Sequence, residues 1–379
     1  MEKPEIYLDN AATTRVCTEA ADIAYKVMTD CYGNPSSTHT KGRDAKAYLD
    51  TARAQIASAL GCSASEVYFT SCGSESDVWA ITRGAESAAR RARHIISSAV
   101  EHDAVRKTLE ELESRGFEVT YLSPEKDGSV SVDAVKAALR EDTILVTLMM
   151  VNNETGGITD IAAIAKMLKG CGSKALLHTD AVQGFMKVPF SAKKLGADMI
   201  SISGHKIHAP KGIGALYIKT GVKIKPLIRG GAQEGGMRAG TEAMPQIAAF
   251  GKAAEIAFSG MKDNCDTMAS LRALAMSTVC ADIPEAQIIG GGAPHILSVS
   301  LPGWRSEVLM NFLEAEGIYV SRSSACKKGG RSHVLEAMRL PAQVIDGAIR
   351  VSFSRYNTED DVLALCSALK RAHDTLAHR

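Results

Sequence analysis

A lysine that follows a buried strand through a Ser-Gly-His turn is well placed to use its amine. Residues 197–202 (Ala-Asp-Met-Ile-Ser-Ile) read as that strand, and Ser203-Gly204-His205-Lys206 as the turn. In an open parallel sheet, ligands sit beyond the carboxyl ends of the strands. There a serine and a histidine could hold a phosphate while the Lys206 amine does Schiff-base chemistry. Four more strand ends are polar. Ser71-Cys72-Gly73-Ser74 follows the β-rich run 67–70 at a helix start, where free backbone N–H groups and a hydroxyl make a phosphate cradle; alone, it reads better as a serine cap. His102, after the run 94–98, suits an imidazole lying on a planar ring or shuttling a proton, and equally a helix cap. Asn152-Asn153-Glu154 closes the most apolar strand and also suits a plain turn. Asp180 ends the strand at 175–179, with Gln183 one helical turn on. A buried carboxylate needs a cationic or protonated partner, and a protonated pyridine nitrogen would serve.

The elements that must position these groups alternate. Short β-rich runs at 67–70, 94–98, 118–122, 143–151, 175–179, 197–203 and 215–218 are mostly separated by helical patterns, which predicts a mainly parallel α/β sheet. Ahead of them lie an extended stretch at 5–9, a helix near 19–28, a Gly33-Asn34-Pro35-Ser36-Ser37 loop and an amphipathic helix at 44–60. After 218 the rhythm changes. A glycine-rich loop at 230–240 leads into a helix predicted over 244–262, and then strands thin out to 295–301, 317–321 and 348–354 before a last helix capped by Thr358. This predicts a large domain over 16–262 and a smaller α+β domain built from 1–15 and 263–379.

The chain has 379 residues with 44 Lys+Arg against 43 Asp+Glu, so no global charge draws in nucleic acid or an anionic membrane. Small-molecule chemistry is the expectation. No signal peptide or spanning segment is apparent, which suggests a cytoplasmic protein. The nine cysteines are an odd number without a CxxC pair, so neither a disulfide framework nor a zinc site is expected, and no metal. Cys326 stands apart. It lies in Ser324-Ala325-Cys326-Lys327-Lys328-Gly329-Gly330-Arg331, a small, basic stretch expected to be a mobile exposed loop whose cations favour the thiolate.

Donors, imidazole, amide, carboxylate and lysine at successive strand ends resemble the fold-type I pyridoxal 5′-phosphate enzymes. The motifs are similar to the class V aminotransferase group, and within it to cysteine desulfurases of the NifS/IscS kind. The resemblance runs through nearly the whole chain: Tyr7-Leu-Asp-Asn-Ala-Ala-Thr-Thr14, Gly33-Asn-Pro-Ser-Ser37, Glu101-His102, Val151-Asn-Asn-Glu-Thr-Gly156, Thr179-Asp-Ala-Val-Gln183, Ser203-Gly-His-Lys-Ile207, Gly236-Met-Arg-Ala-Gly-Thr241 and Ser324-Ala-Cys326. It implies a large domain with a mainly parallel seven-stranded sheet. It also implies that Lys206 carries the cofactor and moves the substrate Cα proton, that Asp180 pairs with the pyridine nitrogen, and that His102 stacks on the ring. Gly73, Ser74, Ser203 and His205 would hold the phosphate, and Asn153 and Gln183 would contact the ring oxygen or nearby atoms. Thr241 would reach the neighbouring subunit's phosphate, making a homodimer with shared sites. Arg350, with Asn34 beside it, would fork onto the substrate carboxylate.

The implied reaction takes sulfur from L-cysteine, leaves a persulfide on Cys326, releases alanine and passes the sulfur to an acceptor protein for iron–sulfur assembly or tRNA thiolation. The phosphate turn departs from the family's usual Ser-Gly-Ala-Thr, which makes Cys72 an unusual thiol, read as packing. The stretch from Cys326 to Ser332 is a couple of residues shorter than in the housekeeping branch. A selenocysteine lyase or a cysteine C–S lyase would use the same lysine and arginine, but only persulfide transfer requires Cys326. An idle sulfur-trafficking partner is opposed by the intact Lys206, Asp180, His102 and Arg350. A nicotinamide-dependent dehydrogenase is opposed by the lack of a strand leading into a GxGxxG turn.

Overall fold

The computed structural model describes residues 5–88, 92–322 and 330–376. A two-residue strand β1 (Ile6–Tyr7) is followed by β2 (Val67–Thr70), β3 (His94–Ser98), β4 (Glu118–Leu122), β5 (Thr143–Met149), β6 (Leu176–Asp180), β7 (Met199–Ser203) and β8 (Gly214–Ile218). The last seven form one sheet in the order β2-β8-β7-β6-β5-β3-β4. Only β8 runs against its neighbours; the other strands point the same way, so their carboxyl ends share one edge. The α/β class, the seven-stranded sheet and its mainly parallel sense are as expected from the sequence.

Both faces of this sheet are covered. Ile96, Val146, Ile200 and Tyr217 pack into one apolar cluster, while the adjacent residues Ile95, Leu145, Met199 and Leu216 pack into another. A period of two divided between two cores explains why these strands read as continuous apolar runs. Helix Gly73–Ala88 belongs to the second face, where Trp79, Ala80, Ile81 and Ala85 are buried.

The C-terminal part adds β9 (Gln287–Ile289), β10 (Ile296–Ser300), β11 (Ile318–Tyr319), β12 (Ser321–Arg322) and β13 (Ala348–Ser352). Four of these make an antiparallel sheet ordered β12-β13-β10-β9, and β11 pairs with β1. Its core joins Leu297, Val299, Ile349 and Val351 to residues of helices Met261–Asp282 and Glu359–Thr375, together with Ile6 and Leu8. The helix predicted over 244–262 differs. It ends at Ser259, Gly260 breaks it, and a second helix runs from Met261 to Asp282. That helix buries only Met268, Leu271, Ala275 and Val279, a stripe too thin to stand out as a periodic pattern. No helix among the described residues is long and apolar enough to cross a membrane.

Candidate active site

At the carboxyl edge of the large sheet the chain encloses a cavity of ≈ 330 Å³. Gly73, Ser74, His102, Asn153, Asp180, Gln183, Ser203, His205, Lys206 and Arg350 all line it. Asn34 and Thr241 do not; both are exposed, and the Asn34 side chain accepts a hydrogen bond from the Ser36 amide at 2.9 Å. Cys326 lies outside the described residues.

The wall nearest helix Gly73–Ala88 is made for an anion. Gly73 opens that helix, so its first-turn N–H groups face the cavity at the positive end of the dipole. A Cβ on Gly73 would come within 2.7 Å of Val182 and 3.3 Å of the Ser203 Cβ, so no side chain fits there. Opposite, the Ser203 hydroxyl is buried and has no hydrogen-bond partner among the described residues. An orphaned hydroxyl facing free helix amides calls for an acceptor-rich ligand such as a phosphate. His205 stands beside them, its Nδ1 3.2 Å from the Thr13 hydroxyl. Burial first, then the charge of Lys206, holds its pKa down at about 4. It enters as a neutral imidazole.

Asp180 closes β6 with its Oδ1 accepting from the Val182 amide at 2.8 Å. Burial raises its pKa, while His102 and Lys206 pull the other way. One helical turn after Gly73, Asp77 turns into the same cavity, and burial and the Asp180 carboxylate raise it well above the usual range. Its neighbour His178 offers no charge in return, because burial pushes that imidazole down to about 3. The pair therefore stands short of positive charge. A protonated ring nitrogen at Asp180 is the kind of donor this environment lacks.

Lys206 ends the single turn after β7, and its Nζ donates to the carbonyls of Ala11 and Ala12 at 2.6 and 2.8 Å. Gln183 donates to the same Ala11 carbonyl at 2.8 Å. The N-terminal turn thus reaches the lysine, the glutamine and, through Asp9, the arginine. It is held from below: Asn10 donates to the Ser352 carbonyl, and the Ala11 amide to the Ser352 hydroxyl. Arg350 sits on β13, 2 % exposed, donating to the Asn153 carbonyl at 2.8 Å and to Asp9 at 2.9 Å. His102 caps helix Asp103–Ser114, its Nδ1 accepting from the Ala104 amide at 3.1 Å. Cap and cavity wall are the same residue, so the two readings of His102 do not compete.

Sequence reasoning passed over Asp77, Asp9 and Lys187. Asp77 was findable from its four-residue spacing to Gly73 on one helix face. Asp9 stood only as one member of the motif at 7–14, and Lys187 carried no local signal. Lys187 is buried, its Nζ lacks a hydrogen-bond partner among the described residues, and it shares a small cavity of ≈ 30 Å³ with Lys206. Burial pushes its pKa down to about 7.

The chain resembles known proteins over nearly its whole length. Residues 6–365 match the family model described as aminotransferase class-V. The chain is 42% identical over 366 residues to a protein of Methanosarcina thermophila named cysteine desulfurase IscS, covering 95% of this chain and 90% of that one. Among solved structures, one titled NifS-like protein superposes with a TM-score of 0.93 at 38% identity, over 98% of this chain and all (100%) of that one. Another, titled SspA in complex with cysteine, gives 0.81 at 31% identity, over 94% and 100% of the two chains.

Proposed function

The chain belongs to the aminotransferase class-V family, and from that premise we infer that it is a cysteine desulfurase that turns L-cysteine into L-alanine and leaves the sulfur as a persulfide on Cys326. The family depends on pyridoxal 5′-phosphate, and the residues around the cavity fit that group. The Gly73 and Ser74 amides with the Ser203 hydroxyl would hold its phosphate, Asp180 its ring nitrogen, and His102 its face. When bound, it supplies a sink for the electron pair released as a bond at the substrate Cα breaks.

The chain's own groups do the rest. Lys206 would hold the cofactor and move the substrate Cα proton; the Ala11 and Ala12 carbonyls orient its amine. Arg350 takes the substrate carboxylate, which replaces Asp9 on one arm of the guanidinium while the Asn153 carbonyl steadies the other. Asn153 and Gln183, which line the same cavity, would contact the cofactor's ring oxygen or nearby atoms. The Cys326 thiolate attacks the substrate sulfur: an S–S bond forms, the Cβ–S bond breaks, its electron pair passes to carbon, and protonation completes alanine. A second subunit completes the site through Thr241, and the persulfide goes to an acceptor protein for iron–sulfur assembly or tRNA thiolation.

The observation that carries this reading is the convergence of Lys206, Asp180 and Arg350, from the ends of β7 and β6 and from β13, on one cavity with an anion cradle. The test supplies L-cysteine to the purified protein and to Cys326→Ala, and measures alanine and protein-bound persulfide. Alanine with a persulfide is expected from the wild type, and a loss of both in the variant, with cofactor absorbance kept. Alanine at the wild-type rate from Cys326→Ala would overturn the role of Cys326 and favour a lyase.

A further inference from the structure

The turn that follows β5 does three jobs with three consecutive residues. The Asn152 side chain donates to the Val100 carbonyl and accepts from the Glu154 and Thr155 amides, which fixes the turn. The Asn153 carbonyl holds Arg350. Glu154, 5% exposed, accepts the Ser332 hydroxyl at 2.5 Å. A buried carboxyl group that spends its acceptor on one serine is costly to keep unless that contact matters.

Ser332 is where the chain is pinned after the Cys326 segment. Its neighbours are fixed too: Arg331 pairs with Asp346 at 2.7 and 2.8 Å, and the His333 Nε2 donates to the Glu101 carbonyl at 3.1 Å. Of the three ties, the one from Ser332 is buried, and Ser332 also caps helix His333–Ala337 by accepting from the Leu335 amide. Arg331 and His333 both line the active cavity, as Glu154 does.

We propose that Glu154 is a positioning residue: through Ser332 it fixes the point at which the chain returns from the Cys326 segment, and so sets the thiol's approach to the substrate sulfur. This rests on the desulfurase reading for its functional half and on the Glu154–Ser332 contact for its structural half. The turn then registers two things against each other, the arginine that orients the substrate and the segment that takes its sulfur. Burial raises Glu154 to about 7, so a neutral amide is a close stand-in that keeps the acceptor oxygen.

The test compares Glu154→Ala, Glu154→Gln and Ser332→Ala, each as purified holoprotein, by two readouts. The first is amide hydrogen exchange over residues 331–337, which needs no catalysis. It is expected to quicken at least ten-fold in Glu154→Ala and Ser332→Ala and to return close to wild type in Glu154→Gln. The second is a split of the reaction. The cysteine concentration that half-saturates the change in cofactor absorbance should stay within two-fold, while persulfide formation on Cys326 slows at least ten-fold and is rescued by Gln. Unchanged exchange in Glu154→Ala would overturn the anchor. Faster exchange with persulfide formed at the wild-type rate would overturn the positioning role, as would an equal loss of cysteine binding and persulfide formation. A wild type that forms no persulfide would sink the desulfurase reading instead, and the exchange result would still judge the anchor.

Discussion

Glu101 stands beside a cavity residue, His102, yet its own side chain is turned inward and is 1% exposed. Its Oε1 accepts from the Ser98 hydroxyl at 2.5 Å and the Met149 amide at 3.1 Å, and its Oε2 has no partner among the described residues. Burial outweighs both hydrogen bonds and raises its pKa to about 8. At neutral pH it is therefore an uncharged acid. The unfolded chain releases that proton near pH 4.5, so between there and about 8 the folded state binds more protons, and stability falls as pH rises. Glu101→Gln keeps the acceptor oxygen and does not titrate. Its stability relative to wild type should rise by about 1–3 kcal/mol between pH 6 and pH 9, read from urea unfolding at the two pH values. A difference that does not change with pH would contradict the neutral acid.

The glycine-rich segment at 230–240 is where an element depends on one buried ion pair. Glu234 adopts φ 48°, a left-handed backbone that disfavours a side chain by about 1–2 kcal/mol. Its carboxylate offsets this by taking both arms of Arg53 at 2.7 Å and the Phe69 amide of edge strand β2 at 2.9 Å. The segment is thereby tied to helix Thr40–Leu60 and to the sheet just before Thr241. Glu234→Ala leaves the Arg53 charge without its carboxylate, with only the Val67 carbonyl and the Phe69 ring beside it, and should cost about 3–5 kcal/mol in urea unfolding; a loss below about 1 kcal/mol would mean that the pair does not hold the segment. The glycines announce a loop in the sequence. What holds it comes from residues 181 and 165 positions away, which no local pattern reveals.

At the scale of the molecule, the large sheet is legible because its strands are short, apolar and regularly spaced, and each ends in a polar turn that no core needs. The same feature made Lys206, Asp180 and Gly73 stand out. The N-terminal turn was harder: its carbonyls reach Lys206 and Gln183 only because β1 pairs with β11 and Ser352 holds the turn, contacts more than 300 residues apart in sequence. Thin-striped helix Met261–Asp282 and three-residue β9 were hidden for the opposite reason, too little buried surface to write a period. The proposed chemistry requires one lysine, Lys206, to hold the cofactor at the edge of that sheet. Borohydride reduction of the yellow protein, followed by peptide mass mapping, fixes the cofactor to whichever lysine bears it. The pyridoxyl mass is expected on Lys206; finding it on Lys187, the buried amine that shares a small cavity with it, or on no lysine, would contradict that assignment.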